Sequence, residues 1–171
     1  ANIAELHALG EDFNTLLDEL EAWQAHQKRE NASLLHQATH DPLTGLPNRA
    51  LFEARLEQAI QAGHTRHERF ALLYLDCDRF KQINDNLGHA IGDEVLIALA
   101  RRVQHQLRPM DLVCRLGGDE FVILLSPVHQ ESEVREVMMR IQQAMTTPVV
   151  MSDGHHLQIG VSVGSALYPE Q

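Results

Sequence analysis

Cysteine and basic residues are scarce in this sequence, and each scarcity excludes a class of protein. The 171 residues include two cysteines, Cys77 and Cys114, which form no C-x-x-C motif and lie in apolar, strand-like runs. Buried thiols in a reducing cytoplasm are therefore expected rather than a disulfide framework. Fourteen basic residues face 24 acidic ones, for a net charge of −10. The chain lacks the basic face that a nucleic-acid backbone requires, so no nucleic-acid partner is expected, whereas a small polyphosphate carried with divalent cations is compatible with it.

A long apolar run is also missing. No stretch approaches the roughly 18 residues that mark a membrane span, and no signal peptide is recognisable. We therefore expect a cytoplasmic domain with no direct membrane contact, which is compatible with a parent protein anchored elsewhere. The length and the 44% hydrophobic content suit one ordinary domain with an appendage.

Residues 1–40 contain no proline and one glycine, and their apolar side chains recur at helical spacing. The pattern predicts one long helix whose heptad seam has a polar middle at Gln24, Gln27 and Asn31. The apolar members of the seam are Ile3, Leu6, Phe13, Leu17, Leu20 and Leu34. We expect a parallel dimer through this helix; the alternative is an amphipathic helix folded back onto its own domain.

Two prolines and a glycine within residues 42–47 end the long helix, because they do not fit a helix interior. The domain boundary is therefore predicted near residue 41. Asn48 is then expected to cap a helix over residues 49–62, which Gly63 would end.

The apolar run at residues 70–75 predicts a strand covered on both faces. Its C-terminal end delivers Asp76 to the rim of the sheet, where ligands of α/β folds bind. A short helix is predicted around Ile83, followed by a turn at residues 88–92. Asp93 is then expected to open another helix.

Downstream, the pattern predicts hairpin strands at residues 112–116 and 121–125, a helix at residues 131–146 and a strand at residues 157–167. The order of elements is typical of an α/β fold. We expect an α+β sandwich in which helices flank a mixed sheet.

The predicted hairpin turn carries Gly117, Gly118, Asp119 and Glu120. Two glycines permit positive φ and leave the backbone open to a ligand, and two acids follow at once. A bare backbone beside paired carboxylates suits a metal-bound phosphate. The alternative is a solvated hairpin turn, since such turns favour glycine and aspartate for local reasons.

Three blocks of sequence together resemble the GGDEF domain of bacterial diguanylate cyclases. They are D-P-L-T-G-L-P-N-R from Asp41, D-C-D-R-F-K-Q-I-N-D-N-L-G-H-A-I-G-D from Asp76, and R-L-G-G-D-E-F from Arg115. The resemblance covers residues 41–171 as a catalytic domain. Residues 1–25 resemble the second half of a HAMP signalling domain leading into a coiled coil, so residues 1–40 would form a HAMP-like dimerising helix. The combination is similar to membrane-anchored cyclases of the YfiN type.

This resemblance implies a fold like the palm of nucleotide cyclases and polymerases. It implies condensation of two GTP molecules into cyclic di-GMP with release of two pyrophosphates, assisted by Mg²⁺ or Mn²⁺, two ions per active half-site. It also implies a homodimer, an upstream sensor and a parent protein in the bacterial inner membrane. The family continues beyond the equivalent of Gln171 into a helix, with a lysine and an arginine near the phosphates, and a last strand; that part of the domain lies outside this sequence.

The resemblance also assigns roles to individual residues. Asp76, Asp119 and the carbonyl of Cys77 would bind metal, and Glu120 would be a ligand or the base for the 3′-hydroxyl. Substrate contacts would come from Phe80, Lys81, Asn84, Asp93, Gly117 and Gly118, with Asn84 and Asp93 reading the guanine edge. Arg108 and Asp111 would form a product-inhibition site.

Each of these residues has an ordinary structural alternative as a strand-end acid, a helix cap or a turn residue. Two other functions also stay open at this point. One is a catalytically silent receptor that binds cyclic di-GMP through Arg108 and Asp111. The other is a coiled-coil interaction protein with an inert cap, which would bind no nucleotide.

Overall fold

The computed structural model describes residues 2–169, in two compact units of which one ends at Ala38 and the other begins at Thr39. The elements in chain order are α1 Ile3–Thr39, α2 Arg49–Arg66, β1 Arg69–Cys77, α3 Phe80–Leu87, α4 His89–Gln104, β2 Leu112–Gly117, β3 Glu120–Val128, α5 Glu131–Ala144, β4 Val149–Val150, β5 His156–Leu157 and β6 Val161–Tyr168.

Helix α1 confirms the prediction of one long helix near the start of the sequence. Its 37 residues correspond to a length of about 55 Å. None of its residues is buried, and its apolar side chains range in exposure from 41% at Leu17 to 86% at Ile3. The predicted seam is therefore an apolar stripe that this chain leaves open to solvent. Within residues 2–169, no helix is both long enough and apolar enough to cross a membrane.

Helix α2 begins as predicted and ends later than predicted. The Asn48 side chain accepts a hydrogen bond from the Leu51 amide, 3.2 Å away, which is the expected cap. Gly63 does not end the helix, because a single glycine is tolerated inside a helix that packs on a sheet. The end comes at His67, which takes a left-handed conformation with φ of 55°.

The main sheet has the strand order β2-β3-β1-β6, and every pairing in it is antiparallel within the described residues. The predicted sandwich of a sheet with flanking helices is confirmed, but the prediction of a mixed sheet is wrong. Strands β1 and β2 do run in the same direction, because both are antiparallel to β3. The hairpin partner β3 lies between them, so they never become parallel neighbours.

Alternate residues of β1 pack on opposite faces of this sheet. Ala71, Leu73 and Leu75 join the large core against α4 and α5. Phe70 and Leu72 join a smaller core under α2. This two-faced burial is what the continuous apolar run at residues 70–75 predicts. Because both faces of β1 are buried, the position of its acidic end at Asp76 is defined.

Helices α3 and α4 correct the predicted turn at residues 88–92. The chain reverses at Gly88 alone, where φ is +90°, and α4 begins immediately at His89. Gly92 and Asp93 therefore lie inside α4, and Asp93 does not open the helix as predicted. Glycine at residue 88 supplies the whole reversal because only glycine adopts this φ without strain.

The C-terminal part differs from the prediction in detail. Helix α5 ends at Ala144, two residues before the predicted end. The predicted strand at residues 157–167 is divided between β5, which pairs with β4 in a small separate sheet, and β6, which pairs along the whole of β1. The glycine at residue 160 lies between the two pieces, as its weak strand propensity suggests.

The buried and exposed faces of α5 offer a matched test of this packing. Ile141 is fully buried and Met139, on the same helix, is 70% exposed. We expect Ile141→Ala to lower the free energy of unfolding by about 2–5 kcal/mol, because it removes buried apolar volume and leaves a cavity. Met139→Ala should change it by no more than about 0.5 kcal/mol. Urea unfolding followed by circular dichroism measures both; equal effects would contradict the described packing.

Candidate active site

The end of β1 and the hairpin that follows β2 bring acidic side chains to one edge of the sheet. In the antiparallel register, Asp76 lies directly opposite Glu120 of β3 and, on its other side, opposite Ser162 of β6. Directly opposed residues have Cβ atoms about 4.5–5.5 Å apart and point to the same face. Asp76 and Glu120 are both exposed. Two carboxylates thus share a solvent-facing edge, although they are 44 positions apart in sequence.

The hairpin turn between β2 and β3 is short, and its backbone is accessible to a ligand. Gly117 pairs with Glu120, so only Gly118 and Asp119 form the loop. Gly118 is left-handed, with φ of +49°, and Gly117 has φ of +153°. No described atom lies within 4 Å of the position that a Cβ would take on either glycine. The backbone of the turn is therefore accessible, as the sequence predicts.

Cys77 is buried beside this edge, with 3% exposure. Burial, followed by the negative charges of Asp119 and Asp78, raises the pKa of its thiol to about 12. The thiol therefore stays protonated at neutral pH and is a poor metal ligand. The effect of Asp119 on this pKa also places the Asp119 carboxylate within electrostatic range of the end of β1.

Asp78 has an internal role. Its amide donates to the Gly160 carbonyl at 2.9 Å, and its Oδ1 accepts a hydrogen bond from the Ser162 hydroxyl at 2.5 Å. These bonds tie the end of β1 to the start of β6. Asp78 thus has a side-chain partner in the fold, whereas the side chain of Asp76 makes no hydrogen bond among the described residues.

The N-terminus of α3 lies directly after this strand end. Its N-cap residue, Arg79, is left-handed with φ of 58° and provides no side-chain cap within the described chain. The first amides of the helix, including those of Phe80 and Lys81, therefore have no side-chain acceptor there. Lys81 is exposed on the same turn. Amides of this kind, next to a lysine, suit an anionic group.

Asn84 and Asp93 come from two helices that pack against each other, α3 and α4. Asp93 is exposed, whereas Asn84 is half-buried. The Asn84 Oδ1 atom is fully buried and has no hydrogen-bond partner among the described residues. An unsatisfied buried amide oxygen is rare in folded proteins.

Arg115 links this edge to the domain boundary, a connection that the sequence analysis missed. Its Nη1 donates to Asp41 Oδ1 at 2.9 Å, and its Nε donates to the Gly118 carbonyl at 2.9 Å. Its own amide donates to the Pro47 carbonyl at 3.0 Å. One side chain thus connects the turn of the hairpin to the loop that begins the second unit.

The loop partner of Arg115 is preorganised by local hydrogen bonds. The Oδ2 atom of Asp41 accepts from the Thr44 amide at 2.8 Å and from the Thr44 hydroxyl at 2.7 Å. Burial by itself would raise the pKa of the Asp41 carboxyl, but the bonds from Thr44 and Arg115 outweigh burial and lower this pKa. The D-x-x-T spacing of Asp41 and Thr44 could have predicted this turn from the sequence, since aspartate and threonine often form such turns.

Arg108 and Asp111 lie away from the other candidate residues. They precede β2, whereas the glycine turn follows it, so about 20 Å of extended chain separates the two ends. Arg108 Nε and Nη2 bind the two oxygens of Asp111 at 3.0 and 2.8 Å, and Nη2 also donates to the Pro127 carbonyl. The side-chain hydrogen bonding that Arg108 donates to Asp111 is the main cause that raises the pKa of Arg108. The side chain of Asp111 is fully buried and that of Arg108 is 33% exposed.

The donor atoms at the edge of the sheet suit a hard cation. Asp76, Asp119 and Glu120 offer carboxylate oxygens, the ligands that Mg²⁺ and Mn²⁺ prefer, and the protonated Cys77 thiol does not compete. Between Asn2 and Pro169, no cluster of three or more histidine, cysteine, aspartate or glutamate side chains is close enough to hold a metal unaided. A complete coordination shell would therefore need backbone, water or substrate oxygens as well.

A family model described as diguanylate cyclase, GGDEF domain, matches residues 38–171. The chain belongs to the GGDEF-domain family. The predicted membership of the GGDEF family is thereby confirmed. The individual roles predicted for Asp76, Cys77, Asn84, Asp93 and the other site residues remain predictions.

Two relatives in this GGDEF family are similar over nearly the whole sequence. Diguanylate cyclase TpbB of Pseudomonas aeruginosa is 54% identical over 170 residues, which are 99% of this chain and 39% of TpbB. Diguanylate cyclase DgcN of Escherichia coli is 44% identical over 165 residues, 96% of this chain and 40% of DgcN. The chain thus spans about two fifths of the length of the curated relatives it matches.

Two solved structures are similar to this chain. The GGDEF domain of TpbB, also called YfiN, has a TM-score of 0.74 at 48% identity and covers 76% of each chain. The coiled coil and GGDEF domain of DgcB from Caulobacter crescentus, in complex with c-di-GMP, has a TM-score of 0.83 at 27% identity, covering 91% of this chain and 82% of that one. The predicted similarity to the YfiN type is confirmed, and the membrane anchor stays a prediction.

The Asp41 link predicts a pH-dependent contribution to stability. At pH 7, Asp41→Asn should lower the free energy of unfolding by about 1–2 kcal/mol, because hydrogen bonds to a charged group are lost. The folded-state pKa lies below the ordinary value of 3.8, so this contribution is present above pH 3.8 and disappears as the pH falls through the lower folded-state pKa. Urea unfolding between pH 2.5 and 7 should show the two proteins converging in acid, because protonation leaves Asp41 uncharged, as asparagine is at every pH.

The control is Asp85→Asn, which neutralises an exposed carboxylate of α3. Its free energy of unfolding should vary with pH in the same way as that of the unaltered chain over the same range. If that of Asp41→Asn also varied in this way, the ionised link between Asp41 and Arg115 would contribute nothing to stability.

Proposed function

We propose that this chain carries the catalytic domain of a diguanylate cyclase, which condenses two GTP molecules into cyclic di-GMP and releases two pyrophosphates. The observation that carries the proposal is the β1–β3 register, which sets Asp76 opposite Glu120 beside an open glycine turn. Membership of the GGDEF family supports the reaction class. The similarity to TpbB and DgcN, both named diguanylate cyclases, supports the substrate and product.

The metal ligands in this proposal are oxygen atoms. Asp76, Asp119 and the carbonyl of Cys77 would hold Mg²⁺ or Mn²⁺, two ions per active half-site. Bound ions would neutralise charge on the attacking and leaving oxygens. Glu120 lies opposite Asp76 and is either a further ligand or the base. As the base it takes the proton of the 3′-hydroxyl while that oxygen bonds to the α-phosphorus and pyrophosphate departs with the bridging oxygen.

Recognition of GTP would divide between the two ends of the nucleotide. The carboxylate of Asp93 accepts both N1–H and N2–H of guanine, a pair of donors that adenine does not offer. Asn84 completes the contact with the base. At the other end, the amide of Phe80 and the side chain of Lys81 bind the terminal phosphates. The open backbone of Gly117 and Gly118 lets the phosphates approach the turn.

The product has twofold symmetry, so each domain would supply one GTP and two domains must face each other. Helix α1 would dimerise through its exposed apolar stripe and raise the local concentration of the second domain. The structural likeness to the coiled coil and GGDEF domain of DgcB supports this arrangement. The polar middle of the stripe, at Gln24 and Gln27, would permit more than one register.

The cellular setting follows the same family reasoning. Two free, buried cysteines suit a reducing compartment. We therefore place the domain in the cytoplasm, in a protein held at the bacterial inner membrane by segments outside this sequence and controlled by an upstream sensor. The greater length of TpbB and DgcN leaves room for such segments.

The activity is tested by incubating the purified chain with GTP and Mg²⁺ and separating nucleotides by chromatography. Cyclic di-GMP should form, and Asp119→Asn or Asp76→Asn should reduce its rate of formation by about 10²–10³-fold, the scale of losing one charge-stabilising group. Asp153→Asn, in an exposed turn, is the control and should retain the rate. If no product formed while cyclic di-GMP still bound, the receptor function would replace the enzyme.

The product-inhibition site is tested by binding. Arg108→Ala should weaken cyclic di-GMP binding by about 10–100-fold, because hydrogen bonds from a charged guanidinium are lost. Calorimetry measures the affinity, and Arg101→Ala removes an exposed arginine of α4 as the control. The Asp111 Oδ2 atom still accepts from the backbone amide of residue 108, so the local turn should persist. Unchanged affinity in Arg108→Ala would exclude this site.

A further inference from the structure

The side chain of Asn84 occupies the space that a side chain at residue 92 would need. Gly92 is buried in α4, facing α3. A Cβ placed on Gly92 would overlap Asn84 Oδ1 and lie 2.9 Å from Asn84 Cγ, with Phe80 Cζ at 3.5 Å. The bare Cα of Gly92 is therefore the surface on which the Asn84 carboxamide rests.

The backbone of α4 does not itself require a glycine at this position. The Gly92 amide donates to the Gly88 carbonyl at 3.1 Å, in the ordinary helical pattern. Gly88 has a positive φ, whereas Gly92 does not. Inside a helix, glycine is less stable than alanine. The contact with Asn84 is the feature of this position that an alanine would disturb.

The oxygen of the Asn84 carboxamide faces Gly92, which leaves the amide nitrogen as the available end. Oδ1 is buried against Gly92 without a hydrogen-bond partner in residues 2–169. Nδ2 is not buried in this way and makes no hydrogen bond in the same residues. The carboxamide is thus held by packing with its donor end free. An aromatic nucleobase edge offers acceptor atoms to such a donor.

Gly92 directly precedes Asp93, the other predicted base contact. Asn84 comes from α3 and Asp93 from α4, so their separation depends on how closely the two helices approach. A side chain at residue 92 would displace the Asn84 carboxamide from its present position. We infer that Gly92 is a positioning residue for guanine recognition, whose missing side chain lets Asn84 lie beside Asp93. This inference rests on the proposed binding of GTP.

The inference predicts a specific pattern in a double-mutant cycle of the 171-residue chain. Gly92→Ala should weaken GTP binding by about tenfold, the scale of one hydrogen bond in a recognition site. Asn84→Ala should weaken it by a similar factor. The double variant should bind as Asn84→Ala does, because no side chain remains at residue 84 for the new methyl group to displace. ATP binding should change less than twofold, since the loss concerns the guanine edge.

Gly10→Ala is the matched control. Gly10 also lies within a helix, and no described atom is within 4 Å of its Cβ position. It should leave GTP binding unchanged while making the same gain in helix propensity. Thermal unfolding of all variants checks that they fold. An additive loss in the double variant, or GTP binding by Gly92→Ala within twofold of the unaltered chain, would overturn the inference.

A second readout needs no nucleotide. The side-chain amide signals of Asn84 in a ¹⁵N–¹H spectrum can be assigned by their disappearance in Asn84→Ala. They should shift in Gly92→Ala and stay in place in Gly10→Ala. If the unaltered chain failed to bind GTP, the proposed function would fall, yet these signals would still decide whether Gly92 positions Asn84. Signals that did not move in Gly92→Ala would overturn the positioning role.

Discussion

The antiparallel pairing of β1 with β3 is the constraint on which the rest of the site depends. It sets Asp76 opposite Glu120 and leaves Gly118 and Asp119 as the loop beside them. A slip of one residue would turn every side chain of β1 to the other face and bury Asp76 instead of Leu75. Burial on both faces of β1 prevents that slip, because each face packs on a separate apolar cluster. The core thus determines the chemistry at its edge.

Arginine side chains connect loops to the sheet and to the helices around it. Arg115 ties the glycine turn to Asp41, and Arg102 of α4 donates to the carbonyls of Ala144 and Pro148 where α5 ends. Each guanidinium makes several hydrogen bonds from a rigid, planar group, so one residue restrains two segments. The candidate residues lie on strand ends, on a hairpin turn and on the two helices α3 and α4, so the scaffold itself positions them.

Helix α1 makes up most of the first compact unit. Its apolar side chains, such as Leu6, Phe13 and Leu20, are exposed. An isolated amphipathic helix of this kind gains little from packing, and most helices depend on packing for stability. A second copy would supply it. Under the proposed function, the same contact would also bring two GTP-binding domains together. Dimerisation would then both bury the apolar stripe of α1 and supply the second GTP molecule.

The sequence by itself determined the elements whose causes are local. The apolar run of β1, the Asn48 cap, the long α1 and the glycine turn all depend on residues within a few positions of each other. Only the tertiary structure decided that β3 lies between β1 and β2 and that Arg115 reaches Asp41 across 74 positions. It also decided that Gly92 lies in α4, rather than in a turn, and contacts Asn84 of α3. Strand order and side-chain contact depend on how distant segments share one core, and the spacing of residues along the chain does not carry that information.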